Sequence, residues 1–489
     1  MSLPADAGKI RVTRAGPLGY GGLLWLIALG LILRTYHYGR NPSMWHDEAG
    51  NILNVLGKSF HELLGPLYAS ATGPPLFFWL QKCVVLAFGD GTYSLRLVSF
   101  IASCAGLLVM AALARRLLKP APAAATMLLV ACSDRLLWHA VEARHYSTDF
   151  LIAAVVAFLL VATPTWAAHR RTLLFAALAP LVIFASLPGV FLCGGVFVAL
   201  LPALHREGSW KGGLSAIGFG AIIAVSFAVL YFTIVRAQRT AAVDEYWVSL
   251  FPDWSHPGTV PLWFLTSTVS VMDYMTRPIG GILIVAAFLG AATWWREGRR
   301  EIVLFAAVPV LLTVIAALFR AYPYTGARTI VFAMPGIALL IGAGIGGLPV
   351  WAGGSMPRRV VVVGIVALPL AAILLFALYR SGVVWARADT FGASAYVLQQ
   401  RKSDEPVTAN HREYEYYLRG LDGMFFPDMR LLQAQDPPAR YWIMVTSNDP
   451  QFRARIAESV GASHILNRRE FAGTTVLFVS RAAVGTDAR

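Results

Sequence analysis

The chain has 489 residues, of which 57% are apolar and only 14% charged, with a mean hydropathy of +0.60. A soluble domain carries about 25% charged residues, so these figures exclude an ordinary water-soluble enzyme, a disordered chain and a collagen-like chain. The net charge is +14, yet 26 charges fall in the last 110 residues against 42 in the first 379, which describes a polytopic helical membrane protein with a water-soluble C-terminal domain rather than a nucleic-acid binder.

A membrane-crossing helix needs about 20 mostly apolar residues. Runs of that kind lie near 18–36, 96–114, 120–138, 147–163, 172–187, 188–204, 213–235, 279–295, 302–319, 329–347 and 360–379, about eleven in all. Pro188-Gly189 is the only break between the two runs of 172–204. Alternate connections are short and basic: Lys9/Arg11/Arg14, Arg115/Arg116/Lys119, Arg170/Arg171, Arg206/Lys211, Arg296/Arg299/Arg300 and Arg358/Arg359. Basic loops stay in the cytoplasm. The N-terminus is therefore expected there, in the inner (cytoplasmic) membrane, with the C-terminal domain periplasmic or extracellular. The first run lacks a small-residue cleavage site after it and reads as an anchor.

The apolar run Pro74–Phe88 does not fit as a span. It has about 15 residues, interrupted by Gln81-Lys82, and at about 1.5 Å per residue it falls short of a core about 30 Å thick. It reads as an interfacial helix in a long first outer loop, about 37–94, with another helix near 48–64. The transmembrane domain is thus 1–380 and the soluble domain 385–489. In the latter, Phe391–Arg401 and Pro450–Val460 read as helices, and Tyr441–Thr446 and Thr475–Val479 as strands, a small α/β layer. It has neither GxGxxG nor GxxxxGK[ST]. The four cysteines, Cys83, Cys104, Cys132 and Cys193, lie in apolar runs without a CxxC pair and read as buried small hydrophobes.

Three polar clusters fall on the expected outer face. Trp45-His46-Asp47-Glu48 follows the first span. Adjacent carboxylates there can accept a proton, bind a cation or hold a sugar hydroxyl. Equally, they can start a helix, where acidic side chains cap and meet the positive end of the dipole. Glu142-Ala143-Arg144-His145-Tyr146 lies between the third and fourth spans, with Asp134 and Asp149 on either side. Glu142 and Tyr146, four apart, would share a helix face, and the plainer reading is an ion pair with an aromatic-belt Tyr. Tyr322-Pro323-Tyr324-Thr325-Gly326-Ala327-Arg328 opens the tenth span. Arg328 could grip a phosphate with its planar fork or simply snorkel. Together, a carboxylate pair, another acid and several arginines on one face suit an anionic lipid substrate and acid–base chemistry.

Trp45-His46-Asp47-Glu48-Ala49, Gly73-Pro74-Pro75-Leu76-Phe77-Phe78-Trp79-Leu80, Ser94-Leu95-Arg96-Leu97 and Glu142-Ala143-Arg144-His145-Tyr146, in that order, resemble the GT-C-fold glycosyltransferases. The likeness points to the branch holding the lipid A aminoarabinose transferase and the protein O-mannosyltransferases. Tyr322–Arg328 is similar to that branch's later outer loop. The resemblance implies a GT-C-like fold and an enzyme that takes a sugar from a polyprenyl-phosphate-linked donor. It would pass the sugar to a lipid, glycan or protein of the cell envelope, lipopolysaccharide included, with inversion. It implies Asp47 as the catalytic acid of the first outer loop with Glu48 beside it, and Glu142 as the second-loop acid. Arg144, His145, Tyr146, Arg328, Tyr324 and Arg96 would bind substrate. The aminoarabinose branch has a Lys just before the Pro-Pro, where Thr72-Gly73 stand here, so phosphate binding passes to arginines such as Arg144 or Arg328. The resemblance makes no cofactor certain and leaves a divalent cation open. A transporter or flippase of polyprenyl-linked glycans is the main alternative. It would show inverted repeats, and the sequence has none; a non-catalytic envelope scaffold is the other.

Overall fold

The computed structural model describes residues 21–348, 356–383, 387–461 and 464–481, with backbone only for 356–363. It divides into two compact units, one of 1–40 and 59–383, the other of 41–58 and 384–489. Residues 41–58, expected in the transmembrane domain, group with the C-terminal chain.

The first unit is helical, and helix covers most of each of the eleven expected spans where described. Among the described residues, seven are long and apolar enough to cross a bilayer: Thr92–Leu117, Ala168–Ala185, Gly189–Glu207, Trp210–Gln238, Arg300–Leu318, Arg328–Gly346 and Gly364–Gly382. Pro75–Phe88, Pro120–Cys132, Tyr146–Ala162 and Ile282–Arg296 are shorter apolar helices, and Gly21–Arg40 carries Arg34 within it. Residues 18–20, at the start of the first expected span, lie outside the described residues, as do Lys9, Arg11 and Arg14. Val260–Thr276 is a helix not expected from the sequence.

The expected span 120–138 is two helices, because Ser133 leaves helical geometry at ψ 117° and its hydroxyl accepts the Leu136 N–H, capping Asp134–Ala140. That break strips partners from the last carbonyls of Pro120–Cys132. Arg34, fully buried, donates to the carbonyls of Val130 and Ala131 at 3.2 Å each, and to the Ser103 hydroxyl at 2.9 Å. Without water, such groups must find partners within the protein.

Four of the connections expected to be basic, near 115–119, 169–171, 206–211 and 296–301, meet at one end of this unit. Arg299 donates to the Leu117 carbonyl at 2.7 Å. Arg171 grips Glu301 with both terminal nitrogens, at 3.1 and 2.7 Å, and reaches the Leu160 carbonyl. The side chains of Arg358 and Arg359 lie outside the described residues. At the opposite end Tyr93 donates to the Gly39 carbonyl at 3.0 Å, and the Gly73 N–H donates to Gln238 at 3.1 Å. The Pro75–Phe88 helix starts just after Gly73 and finishes just before Thr92, so it begins and ends at that opposite end. Cys132 and Cys193 are buried, but Cys104 is half-buried and Cys83 is exposed, contrary to expectation, on this short helix's outer side.

The second unit carries a five-stranded sheet: β1 Val407–Ala409, β2 Phe425–Phe426, β3 Arg440–Thr446, β4 Ile465–Phe471 and β5 Thr474–Ser480, in the order β2-β1-β3-β5-β4. β1 runs parallel to β2 and β3, and β5 antiparallel to β3 and β4. Alternation along β3 sends Trp442 and Met444 into one core with Val397 and Tyr414, and Tyr441, Ile443 and Val445 into another with Ala457. The helices Thr390–Gln400 and Pro450–Val460 and strands β3 and β5 match expectation. β4 was missed because its Asn467-Arg468-Arg469-Glu470 stretch is a solvated edge.

Helix packing in the first unit depends on small residues. A methyl group at Gly290 would collide with the Leu340 carbonyl, and one at Gly344 with the Ala286 carbonyl, so the two backbones approach as closely as glycine allows. Gly290→Ala or Gly344→Ala should each destabilise the detergent-purified protein by about 1–3 kcal/mol, read as a lower Tm. Gly218→Ala, whose added carbon meets nothing within 4 Å, should leave Tm in place. Equal Tm for all three would refute the close crossing.

Candidate active site

The second cluster sits on a turn. Val141 leaves helical geometry at the end of Asp134–Ala140, and the Arg144 N–H donates back to the Glu142 carbonyl at 2.7 Å. The Ser99 hydroxyl holds the Arg144 carbonyl at 2.8 Å, and the Ser147 hydroxyl holds that of His139 at 2.9 Å. Glu142 therefore precedes the Tyr146–Ala162 helix and does not share a helix face with Tyr146 as expected.

Glu142 is wholly buried, 2.7 Å from Nδ1 of His139, whose Nε2 lies 2.8 Å from the Tyr274 hydroxyl. Burial pushes the Glu142 carboxyl up, but the His139 hydrogen bond and the charges of His139, Arg144 and Arg328 outweigh it and hold the carboxyl below its ordinary value. Burial likewise pushes His139 down, against the pull of Glu142. The three side chains form one hydrogen-bonded chain, Tyr274, His139 and Glu142.

Beside it stand three arginines. Arg144 donates to the Tyr146 hydroxyl at 2.8 and 3.3 Å, and Arg328 lies 6.0 Å from the centre of that ring. Arg135 lies 5.1 Å from the centre of the Tyr274 ring. Arg135 is shared with Asp134, 3.8 Å away, so the guanidinium groups nearest Tyr146 are those of Arg144 and Arg328. Arg144 is buried and Arg328 half-buried, so water screens them weakly.

The other expected residues are more dispersed. His145 packs against Tyr146 and lies 3.7 Å from Asp149. Tyr324 is buried, hydrogen-bonded to Thr268 at 3.0 Å and stacked on Phe264, a packing role rather than a place in the arginine cluster. Arg96 is fully buried early in Thr92–Leu117. Asp134 is taken up by Arg380 at 3.1 Å and Arg135 at 3.8 Å.

Asp47 and Glu48 belong to the second unit. They open the His46–Gly57 helix, where Glu48 accepts the Trp45 N–H at 3.4 Å, one arm of a capping box. Arg387 meets the buried Glu48 at 3.0 Å. Arg387 also donates to the Ser43 carbonyl at 3.2 Å, Ser43 donates to Asp389 at 3.2 Å, and the Met44 N–H donates to Tyr417 at 2.9 Å. Asp47 stays half-buried. Glu142 and Glu48 each meet a cationic or imidazole partner at hydrogen-bond distance. Among the described residues, one group brings three metal-ligand side chains together: His46, His411 and Glu413.

The fold has solved relatives. The chain is similar to ArnT from Cupriavidus metallidurans in the apo state, with a TM-score of 0.52 and 15% identity over 94% of this chain and 98% of that one. It is similar to the same protein bound to undecaprenyl phosphate, with a TM-score of 0.53 and the same identity and coverage. The Archaeoglobus fulgidus oligosaccharyltransferase, in complex with Zn and sulfate, gives a TM-score of 0.50 and 12% identity over 86% of this chain and 68% of that one. The chain has the GT-C fold of multi-pass membrane glycosyltransferases. No protein-family model matches it, and no curated protein matches it by sequence.

His139 and Tyr274 escaped the sequence reading. His139 stands three residues before Glu142 and could have been flagged by that spacing; Tyr274 comes 135 residues after His139, and nothing local announces it. Glu142→Gln should cost about 1.5–3 kcal/mol of stability near pH 7, the range for a hydrogen bond to a charged group. A carboxyl held below its ordinary 4.5 contributes above that pH and loses the contribution as pH falls through its folded value. The Tm gap between wild type and Glu142→Gln should therefore narrow as pH falls below 4.5; a gap constant with pH would show the carboxylate to be uncharged.

Proposed function

We propose that the chain is an integral-membrane glycosyltransferase. It moves a sugar from a polyprenyl-phosphate-linked donor to a lipid, polysaccharide or protein of the envelope, at the outer face of the cytoplasmic membrane and with inversion. The observation that carries this reading is the placing of two guanidinium groups, buried Arg144 and half-buried Arg328, beside Tyr146, with Glu142 held by His139. The GT-C fold supports it, and a solved relative in that fold holds undecaprenyl phosphate.

The chemistry fits these groups. A polyprenyl phosphate leaves as a stable anion and needs no general acid. It needs positive charge where negative charge grows as the anomeric C–O bond breaks. Arg144 and Arg328 serve that role, Arg328 as a planar fork able to hold two phosphate oxygens. The acceptor hydroxyl needs a base as it attacks. Asp47 takes that role in this reading, while Glu48, closed by Arg387 and the Trp45 N–H, positions the helix start that carries it. Basic connections at one end of the first unit support a cytoplasmic placement for that end.

The reading is tested with purified protein in nanodiscs, labelled polyprenyl-phosphate sugars and an envelope extract as acceptor. Arg328→Ala should raise the donor KM at least as much as it lowers kcat, and Arg328→Lys should recover only part of the loss. Unchanged donor affinity in Arg328→Ala removes that residue from the site. Asp47→Asn should lower turnover about 10²–10⁴-fold with donor binding intact. Near-normal transfer by Asp47→Asn would falsify its role as base.

A further inference from the structure

His46, His411 and Glu413 form a group the transfer chemistry does not use. All three lie in the second unit: His46 opens the His46–Gly57 helix, and His411 and Glu413 flank the start of Glu413–Tyr417. Glu413 Oε1 lies 3.4 Å from His411 Nδ1, and its Oε2 lies 3.7 Å from His46 Nδ1. The ligand atoms of the three lie within 4.8 Å of one another. Nitrogen and oxygen ligands about 2.0–2.2 Å from a zinc ion stand about 3.4 Å apart, and each imidazole nitrogen lies near that distance from a different oxygen of the one carboxylate, so a cation would engage Glu413 through both oxygens.

The polar accounting also leaves a gap here. Glu413 is only 4% exposed, yet its Oε2 has no hydrogen-bond partner, and neither has the buried Nδ1 of His46 facing it. Buried polar atoms normally find partners. A cation between them would satisfy both. His46 and His411 remain 43% and 31% exposed, leaving room for water as a further ligand.

We infer that His46, His411 and Glu413 bind a zinc-class transition-metal ion that ties the start of the His46–Gly57 helix to the Glu413–Tyr417 helix. Two imidazoles and one carboxylate suit zinc or a neighbouring first-row ion, whereas magnesium and calcium take oxygen ligands. The ion acts as a structural clamp, one residue from Asp47. Arg412 opposes it: its Nη1 lies 3.3 Å from His46 Nε2. When Nδ1 binds metal, Nε2 carries the ring proton and can no longer accept from Arg412, so the guanidinium must move away.

The inference is independent of glycosyl transfer, and its test reads metal rather than activity. The full-length protein is stripped with chelator and titrated with Zn²⁺, and separately with Co²⁺ to read the visible d–d bands of a tetrahedral site. One equivalent should bind, with a Tm rise on Zn²⁺ addition. His411→Ala and Glu413→Gln should each weaken binding by at least about 100-fold, beyond the 10–100-fold typical of an outer partner. Arg412→Gln should tighten it, a gain that a folding defect would not produce. Asp47→Asn should leave the metal affinity unchanged. Less than one equivalent bound, or affinity unaltered in His411→Ala and Glu413→Gln, would overturn the proposal and leave the trio as two imidazoles sharing one carboxylate. Unchanged affinity in Arg412→Gln would equally overturn it, since the ion would then not engage His46 through Nδ1.

Discussion

The first unit turns on a single rule: a backbone carbonyl shut away from water must be given a donor. Ser133 breaks the helix that starts at Pro120 and releases the carbonyls of Val130 and Ala131, and Arg34 takes them up. The break is what allows a short helix, Asp134–Ala140, to follow, and that helix delivers His139 to within reach of Glu142. At its other end Arg380 holds Asp134. A continuous helix over 120–138 would have no capped restart at Asp134 and no turn at Val141. The buried arginine in the first helix and the turn that carries Glu142 are thus two consequences of one interruption.

Charge follows the same discipline. Glu142 meets His139, Asp134 meets Arg380, Glu301 meets Arg171, and Glu48 meets Arg387. A buried ion costs several kcal/mol unless it is paired, and each of these acids is paired. Around Tyr146 stand the guanidinium groups of Arg144 and Arg328. Positive charge so placed is useful in a protein that must attract an anion from the membrane, which is why this cluster rather than the acid pair carries the functional reading.

The sequence made the membrane helices legible because each is a long apolar run, and periodicity is not needed to see one. It made Glu142, Arg144, Tyr146 and Arg328 legible as polar residues at the ends of such runs. It could not show the Ser133 break, since Ser is compatible with a helix interior until its hydroxyl caps the next one. It could not show Tyr274, which reaches His139 only through packing. The Val260–Thr276 helix was hidden for a related reason: Thr266, Ser267, Thr268, Ser270 and Asp273 dilute its apolar character. In the second unit β3 and β5 were visible as apolar runs, whereas β4 is an edge whose polar side chains face water.

The least legible feature is the attachment of the Trp45–Glu48 motif. By chain order it follows the first span, and sequence reading assigns it there. By contact it belongs to side chains that come more than 300 residues later: Arg387 on Glu48, Asp389 on Ser43, Tyr417 on Met44 and Glu413 beside His46. Closing so long a loop costs only slowly growing entropy, so a handful of buried hydrogen bonds and one ion pair suffice to fix it. The consequence is directional. Asp47 has its orientation set by the helix start that Glu48 caps, Glu48 has its rotamer set by Arg387, and Arg387 stands in the second unit. A substitution at Arg387 therefore moves the helix start that carries Asp47, and residues 384–489 are part of the framework of that segment.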